Sequence, residues 1–177
     1  MHTEQDEGLR FGTLLAEISS RFVNVPADQV DGEIRGAQRR MCEFLDLDRS
    51  SLGQVSEREP GAVPLTHIHQ PQGGPPIPKR PNARDLFPWT AQKVLAGETV
   101  TFSKLAYLPP EAARDQENFR VYGTKAGVYV PLSVGEGPIF GLLSFAVTRK
   151  ARDWPKTVIE KFLLIAQVFA NALARKQ

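Results

Sequence analysis

Lys125-Ala126-Gly127-Val128-Tyr129-Val130-Pro131-Leu132, followed by Gly141-Leu142-Leu143-Ser144-Phe145, is the stretch on which the reading of this chain turns. Ala126, Val128, Val130, Leu132 and Val134 alternate without a break, which predicts a strand with one buried face. Gly135-Glu136-Gly137-Pro138 supplies a hairpin turn. Ile139 to Thr148 is apolar on both faces in its middle, at Leu142, Leu143, Phe145 and Val147, so the second strand belongs at the centre of a sheet.

Working outward, three more β segments precede the hairpin. Ser51 to Ser56 would bury Leu52 and Val55, and Thr99 to Ser103 is β-branched and alternating. In Val63 to Gln70, simple alternation puts Val63, Leu65, His67 and His69 on one side and Thr66 and Ile68 on the other, with Pro64 pushing the strand toward an edge. The run from Pro71 to Pro81 is too rich in proline and glycine for regular structure and reads as a long loop. Helical periodicity covers Leu9 to Val25, through Phe11, Leu14, Leu15, Ile18, Phe22 and Val25, until Pro26 stops it. Further helices are predicted over Ala27 to Leu45, over Leu86 to Ala96 after an Asp85 cap, and over Leu108 to Tyr122. The last begins after Asp153-Trp154-Pro155. This order describes an α+β domain with a largely antiparallel sheet of about five to six strands. Residues 1–8 are expected to be a disordered tail, and residues 9–177 a single domain.

Composition limits what such a domain does. At 177 residues, 41% hydrophobic and 24% charged, the chain suits one compact domain and is neither a disordered segment nor a disulfide scaffold. Lys plus Arg number 22 against 20 for Asp plus Glu, and a net charge of +2 makes no footprint for direct nucleic-acid binding. No uninterrupted apolar run approaches the roughly 18 residues of a membrane span. The start, Met1-His2-Thr3-Glu4-Gln5-Asp6-Glu7, is the opposite of a secretory signal. A cytoplasmic protein without membrane contact is the expectation.

The Lys125–Phe145 hairpin, Trp154-Pro155 followed by Phe169-Ala170-Asn171-Ala172-Leu173-Ala174-Arg175-Lys176, and the segments Phe87-Pro88-Trp89, Leu95-Ala96-Gly97-Glu98 and Leu108-Pro109-Pro110-Glu111 together resemble a GAF domain, a PAS-related sensory domain. The resemblance runs from about Leu9 to Lys176 and implies a GAF-like fold. It also implies helices on both sides of the sheet and long terminal helices packed together. It resembles most the GAF regions of bacterial multidomain sensors, ahead of PAS and histidine-kinase modules or in transcriptional regulators. Bilin-binding members attach the chromophore through a cysteine usually followed by histidine, whereas Cys42 stands between Met41 and Glu43 on the second helix. The spaced Asn-Lys-Phe-Asp-Glu set of cyclic-nucleotide members has no counterpart, and one cysteine cannot form the disulfide of the methionine sulfoxide reductases. The cofactor or ligand is left unknown.

Chemistry-bearing constellations are few. Gly135 and Gly137 sit in a hairpin rather than between a strand and a helix, so they make no phosphate loop. His67 and His69 have a chelating spacing but no adequate third ligand, so no metal is expected and they read as partly exposed sheet residues. Cys42 reads as a packing residue. A small-molecule pocket between the sheet and the middle helices would draw on Phe87, Trp89, Phe102, Phe119, Tyr122 and Tyr129, with His67, Ser103, Arg120 and Lys125 as polar contacts. The same aromatics would serve equally as ordinary core.

On the last helix Val158, Phe162, Ile165, Phe169 and Ala172 recur in steps of four and three, the seam pattern of a coiled coil, beside a second stripe of Ile159, Leu163, Ala166, Ala170 and Leu173. Two stripes exceed what one sheet face needs. With Phe11, Leu14, Leu15 and Ile18 of the first helix, the seam is expected to form a homodimer. Residues 154–177, lacking a Gly or Pro stop, are expected to run as an exit helix into a downstream PAS or kinase module. The functional expectation is a non-catalytic sensory input domain of a sensor histidine kinase. The alternatives are the input domain of a DNA-binding regulator, a ligand-free dimerisation module, or a small enzyme on the same fold.

Overall fold

The structure is a computed structural model that describes residues 4–71 and 74–176. Its elements are α1 (Glu4–Phe22), α2 (Val30–Leu45), β1 (Arg49–Gln54), β2 (Leu65–His69), α3 (Ala83–Leu86), α4 (Pro88–Leu95), β3 (Val100–Phe102), α5 (Ala113–Val121), β4 (Ala126–Leu132), β5 (Gly141–Val147) and α6 (Lys156–Lys176). Every residue of β5 is buried, and it lies in the middle of one five-stranded antiparallel sheet of order β2-β1-β5-β4-β3. A strand apolar on both faces can be satisfied only where both faces are covered.

Two layers cover it. On one face Leu52, Val128, Val130, Leu143 and Phe145 pack against α1, α2 and α6, with the Phe145 and Phe162 rings stacked at 4.4 Å. On the other, Val100, Phe102, Tyr129 and Leu142 pack against α4 and α5. Gly141 has to be glycine, because a Cβ there would collide with the Gly53 carbonyl oxygen where β1 and β5 come together.

The register of β2 departs from simple alternation. Leu52 pairs with His67, but Gly53 pairs with Leu65, so Thr66 is the extra residue of a β-bulge. The bulge reverses the parity, turning Leu65 and Ile68 to the α4–α5 side and His67 to the α2 side. Period-two reading, carried straight through the strand, had placed Leu65 and His67 together.

Other boundaries also differ from expectation. Residues 4–8, expected as tail, are the first turns of α1, while residues 1–3 lie outside the described residues. The helix expected from Leu86 is two helices: Asn82, not Asp85, caps the first, and Pro88 starts the second. The buried Asp115 carboxylate caps that second helix, accepting from Trp89 N at 3.0 Å and Thr90 N at 2.7 Å.

The predicted seam is corrected by its burial. Phe162, Ile165, Phe169 and Ala172 are fully buried in the chain's own core, as are Ile18 and, nearly so, Phe11 and Leu14; Val158 and Leu15 are half-buried at its edge. These side chains cannot also furnish a surface for a second chain. Most of the apolar arc of α6 is covered, by the sheet on one flank and α1 on the other, a contact that includes the Phe22–Phe169 ring pair at 5.7 Å; Leu163 and Leu164 stay exposed. By length and composition α6 does meet the requirements of a membrane span, contrary to the count of uninterrupted runs. In this fold Phe162, Ile165, Phe169 and Leu173 face protein, while Leu163 and Leu164 are exposed.

Hydrogen bonds tie β2 to the layer of long helices. His67 Nε2 donates to Asp31 Oδ1 at 2.7 Å, and Lys176, near the end of α6, donates to Asp31 Oδ2 at 2.6 Å. Burial holds the His67 imidazole below its ordinary 6.5, outweighing the Asp31 carboxylate that pulls the other way. The Lys176 hydrogen bond, foremost, holds Asp31 below 3.8. A group that binds its proton more weakly when folded leaves the unfolded state with more protons, so stability falls as pH falls through the unfolded value. The urea midpoint is therefore expected to drop between about pH 7 and about pH 5, and His67→Gln to flatten that slope. Denaturation at a series of pH values checks both.

Candidate functional site

The sheet face opposite α1, α2 and α6 is not fully covered by α3, α4 and α5. A cleft remains, with about 510 Å³ of empty space when the open solvent at its mouth is counted. Its floor is Arg49 and Ser51 of β1, Tyr129 of β4, and Ser144 and Ala146 of β5. These residues share one face because Ser51 pairs with Ser144, Ser144 with Tyr129, and Arg49 with Ala146. Leu86 and Phe87 form one wall, and Asn118, Phe119 and Tyr122 another. Leu65 and Ile68, turned inward by the bulge, close the edge, and Ile77 and Pro78 of the proline-rich loop form the roof.

Two glycines shape the cleft. A Cβ on Gly127 would lie 2.9 Å from Tyr129 Cε1, so the bare backbone lets the phenol ring lean across the sheet. Gly123 has φ +82° and its missing Cβ would lie 2.6 Å from Pro75 Cγ, so the α5–β4 turn is where the loop docks. Behind the wall the rings of Phe87, Phe102, Phe119 and Tyr129 pack together at centroid distances of 5.0 to 6.2 Å.

The polar lining groups include Arg49, Ser51, Asn118, Thr124, Tyr129 and Ser144. Arg49 is half-buried; it donates from Nε to Gln70 Oε1 at 2.6 Å, from Nη1 to Thr124 Oγ1 at 3.0 Å and from Nη2 to the Tyr122 carbonyl at 2.9 Å. It forms no ion pair with a carboxylate among the described residues. Burial, foremost, pulls its guanidinium below its ordinary value. Ser51 and Ser144 share a hydrogen bond at 2.5 Å. The Tyr129 phenol is pushed well above 10.0 by desolvation and stays neutral.

Four of the residues expected in the pocket line it: Phe87, Phe119, Tyr122 and Tyr129. Phe102 sits one layer behind them. The other candidates point elsewhere. His67 is on the far face of the sheet, held by Asp31 and by Thr66 at 2.7 Å. Trp89 is at the periphery with Lys93 over its ring at 5.8 Å. Ser103 offers its carbonyl to Arg152 N, Arg120 is exposed beside Glu117, and Lys125 is exposed. Sequence reasoning missed Arg49, Ser51, Ser144, Asn118 and Thr124. The alternation of β5 around Ser144 carried a signal, a polar side chain inside a fully apolar strand; for Arg49 the strand had been started two residues too late.

Cys42 is on α2 beneath the opposite face, buried, with its thiol pushed up to about 12, chiefly by desolvation. It cannot reach a molecule in the cleft. His67 and His69 do not belong to any cluster of three metal-ligating side chains among the described residues. Two outcomes follow. Cys42 in the folded protein is expected to react with an aromatic disulfide only at the rate of unfolding, read against the same reaction in denaturant. Gly123→Ala is expected to release the 71–81 loop, seen as faster limited proteolysis there with the far-UV spectrum unchanged.

Searches of family models and of curated sequences find no match. Solved structures do match. A phycocyanobilin-bound GAF domain from a cyanobacterial phytochrome superposes with a TM-score of 0.74 at 16% identity, covering 94% of each chain. The GAF domain region of a membrane protein from Geobacter sulfurreducens gives 0.65 at 16% identity, over 83% of this chain and 94% of that one. A free methionine-R-sulfoxide reductase from Neisseria meningitidis, in complex with its substrate, gives 0.69 at 15% identity, over 99% and 95%. At such identities the likeness speaks for architecture, and the architecture is clear: this chain has the GAF fold.

Proposed function

We propose that this domain is a non-catalytic sensory module that takes a small molecule in the cleft between its sheet and α3–α5. In this reading it is the input domain of a sensor histidine kinase of the two-component type, located in the cytoplasm. The observation that carries the proposal is the cleft itself. It is apolar over most of its wall, has a few polar groups, and holds no carboxylate, histidine or cysteine among the described lining residues. That is the composition of a binding site rather than of an acid–base or nucleophilic centre. The bilin-bound and substrate-bound neighbours support the reading as ligand-holding domains of the same architecture.

The route for a signal is short. Ser144 faces the cleft, and the next residue, Phe145, faces the other layer and stacks on Phe162 of α6. A ligand that shifts β5 by a fraction of an ångström would press directly on the helix that leaves the domain. Transmission requires that the ligand bind two arrangements of α6 with different affinity. For pairing of two copies, the surface left over is the outer flank of α6, where Leu164 is 60% and Leu163 37% exposed. In the same reading that flank, rather than the buried seam, meets its copy alongside α1. An input domain of a DNA-binding regulator would use the same site and helix, differing only in the output module.

Native mass spectrometry of freshly purified protein is expected to show a retained small molecule, lost after denaturation and refolding. A clean apo mass from several expression hosts would count against the ligand. In sedimentation velocity, Leu163→Glu with Leu164→Glu is expected to convert a dimer to a monomer without loss of helix content. A wild-type monomer at high concentration would remove the pairing from the proposal.

A further inference from the structure

We propose that the ligand of the cleft is a monoanionic organic acid, its carboxylate seated on Arg49 and its apolar, ring-sized body lying between Ile68, Ile77, Leu86, Phe87 and Phe119. This rests on the ligand-binding reading above and adds the charge and shape of the guest.

The first argument is the state of Arg49. A guanidinium taken out of bulk water needs compensation, and an opposite charge supplies most of it. Here all three hydrogen bonds go to neutral acceptors, the Gln70 and Thr124 side chains and the Tyr122 carbonyl. One N–H on each terminal nitrogen is left over. A carboxylate can accept from these free N–H groups as an ionised partner, in bonds stronger than the neutral ones already made. The three neutral bonds also hold the planar group still, so little ordering cost remains when an anion arrives.

The second argument is charge matching. Arg49 is the sole charged side chain among the described residues lining the cleft. One fixed positive charge in a largely apolar site suits one negative charge on the ligand. A phosphate monoester would bring a second charge for which no lysine, second arginine or helix terminus of sufficient length is at hand. Lys125, the nearest cation in sequence to Thr124, is exposed and outside the cleft.

The third argument is shape. Most of the lining is apolar, with the Phe87 and Phe119 rings stacked at 5.7 Å and Ile68, Ile77 and Leu86 among the rest, and Arg49 is the one charged group among the described lining residues. A flat or compact hydrophobic body with a terminal carboxylate fills both parts at once. A sugar or a polyol would leave its hydroxyls against these walls without partners.

The test pairs benzoate, phenylacetate and indole-3-acetate each with its primary amide, titrated into the whole domain and followed by amide NMR shifts and thermal stabilisation. The acids are expected to move resonances of β1 and β5 at the cleft and to bind about tenfold more tightly than their amides, the effect of about 1.4 kcal/mol. Arg49→Gln is expected to erase that preference, Arg49→Lys to keep part of it, and Lys125→Gln to leave it intact. Because Arg49 also ties the α5–β4 turn, the wild-type acid-to-amide ratio stands as a readout that needs no variant. Equal binding of acids and amides at the cleft overturns the anion assignment and leaves the ligand-binding reading standing. A preference that survives in a folded Arg49→Gln protein overturns the role of Arg49. If no compound moves a cleft resonance, the inference falls, and the retained-mass experiment decides the reading beneath it separately.

Discussion

The burial of β5 on both faces is the constraint from which the rest of the structure follows. Leu142 and Ser144 look toward one helical layer and Leu143 and Phe145 toward the other, with all seven residues of the strand shielded. Fully burying a large apolar side chain contributes roughly 1.5–3 kcal/mol, so exposing either face would cost more than a marginally stable domain has to spare. Two helical layers are thereby required. The three long helices serve one face, and the short pieces α3, α4 and α5 serve the other.

That inequality between the layers creates the site. Long helices with continuous apolar stripes cover their face, and the buried residues there form one core cluster that includes Phe11 and Leu173. The short helices of the other layer are interrupted by Pro88, Pro109 and Pro110 and cannot lay a continuous stripe over the sheet. The cleft opens where their cover runs out, and the proline-rich loop spans it. Arg49 lies at this margin, half-buried and lining the cleft. Since the sheet is one residue thick, whatever touches Ser144 is a single peptide from Phe145, which stacks on Phe162 of α6.

Much of the architecture was legible in the chain. The alternation of Ala126 to Leu132 and the double-sided apolarity of Leu142 to Val147 are properties of short-range pattern, and they yield the hairpin and its central place directly. The stripe of α1 was legible for the same reason. The site was legible only in part. Phe87, Phe119, Tyr122 and Tyr129 belong to an aromatic-rich segment that the composition marks, but so does Trp89, and residue type alone, for Trp89 as for His67, Ser103, Arg120 and Lys125, says nothing about which face of a sheet or helix a side chain takes.

By itself the sequence determined the elements, the α+β class and the near-neutral charge, because periodicity and composition are local and additive. Tertiary structure alone decided three things. The bulge at Thr66 settled which side of the sheet His67 and Ile68 occupy, since one extra residue in a strand reverses every side chain beyond it. The packing of α1 against α6 settled that Phe162, Ile165 and Phe169 are core rather than a seam, since a stripe does not record what covers it. Strand order settled that Arg49, Ser51, Ser144 and Tyr129 meet, because residues so far apart in the chain become neighbours only through cross-strand pairing.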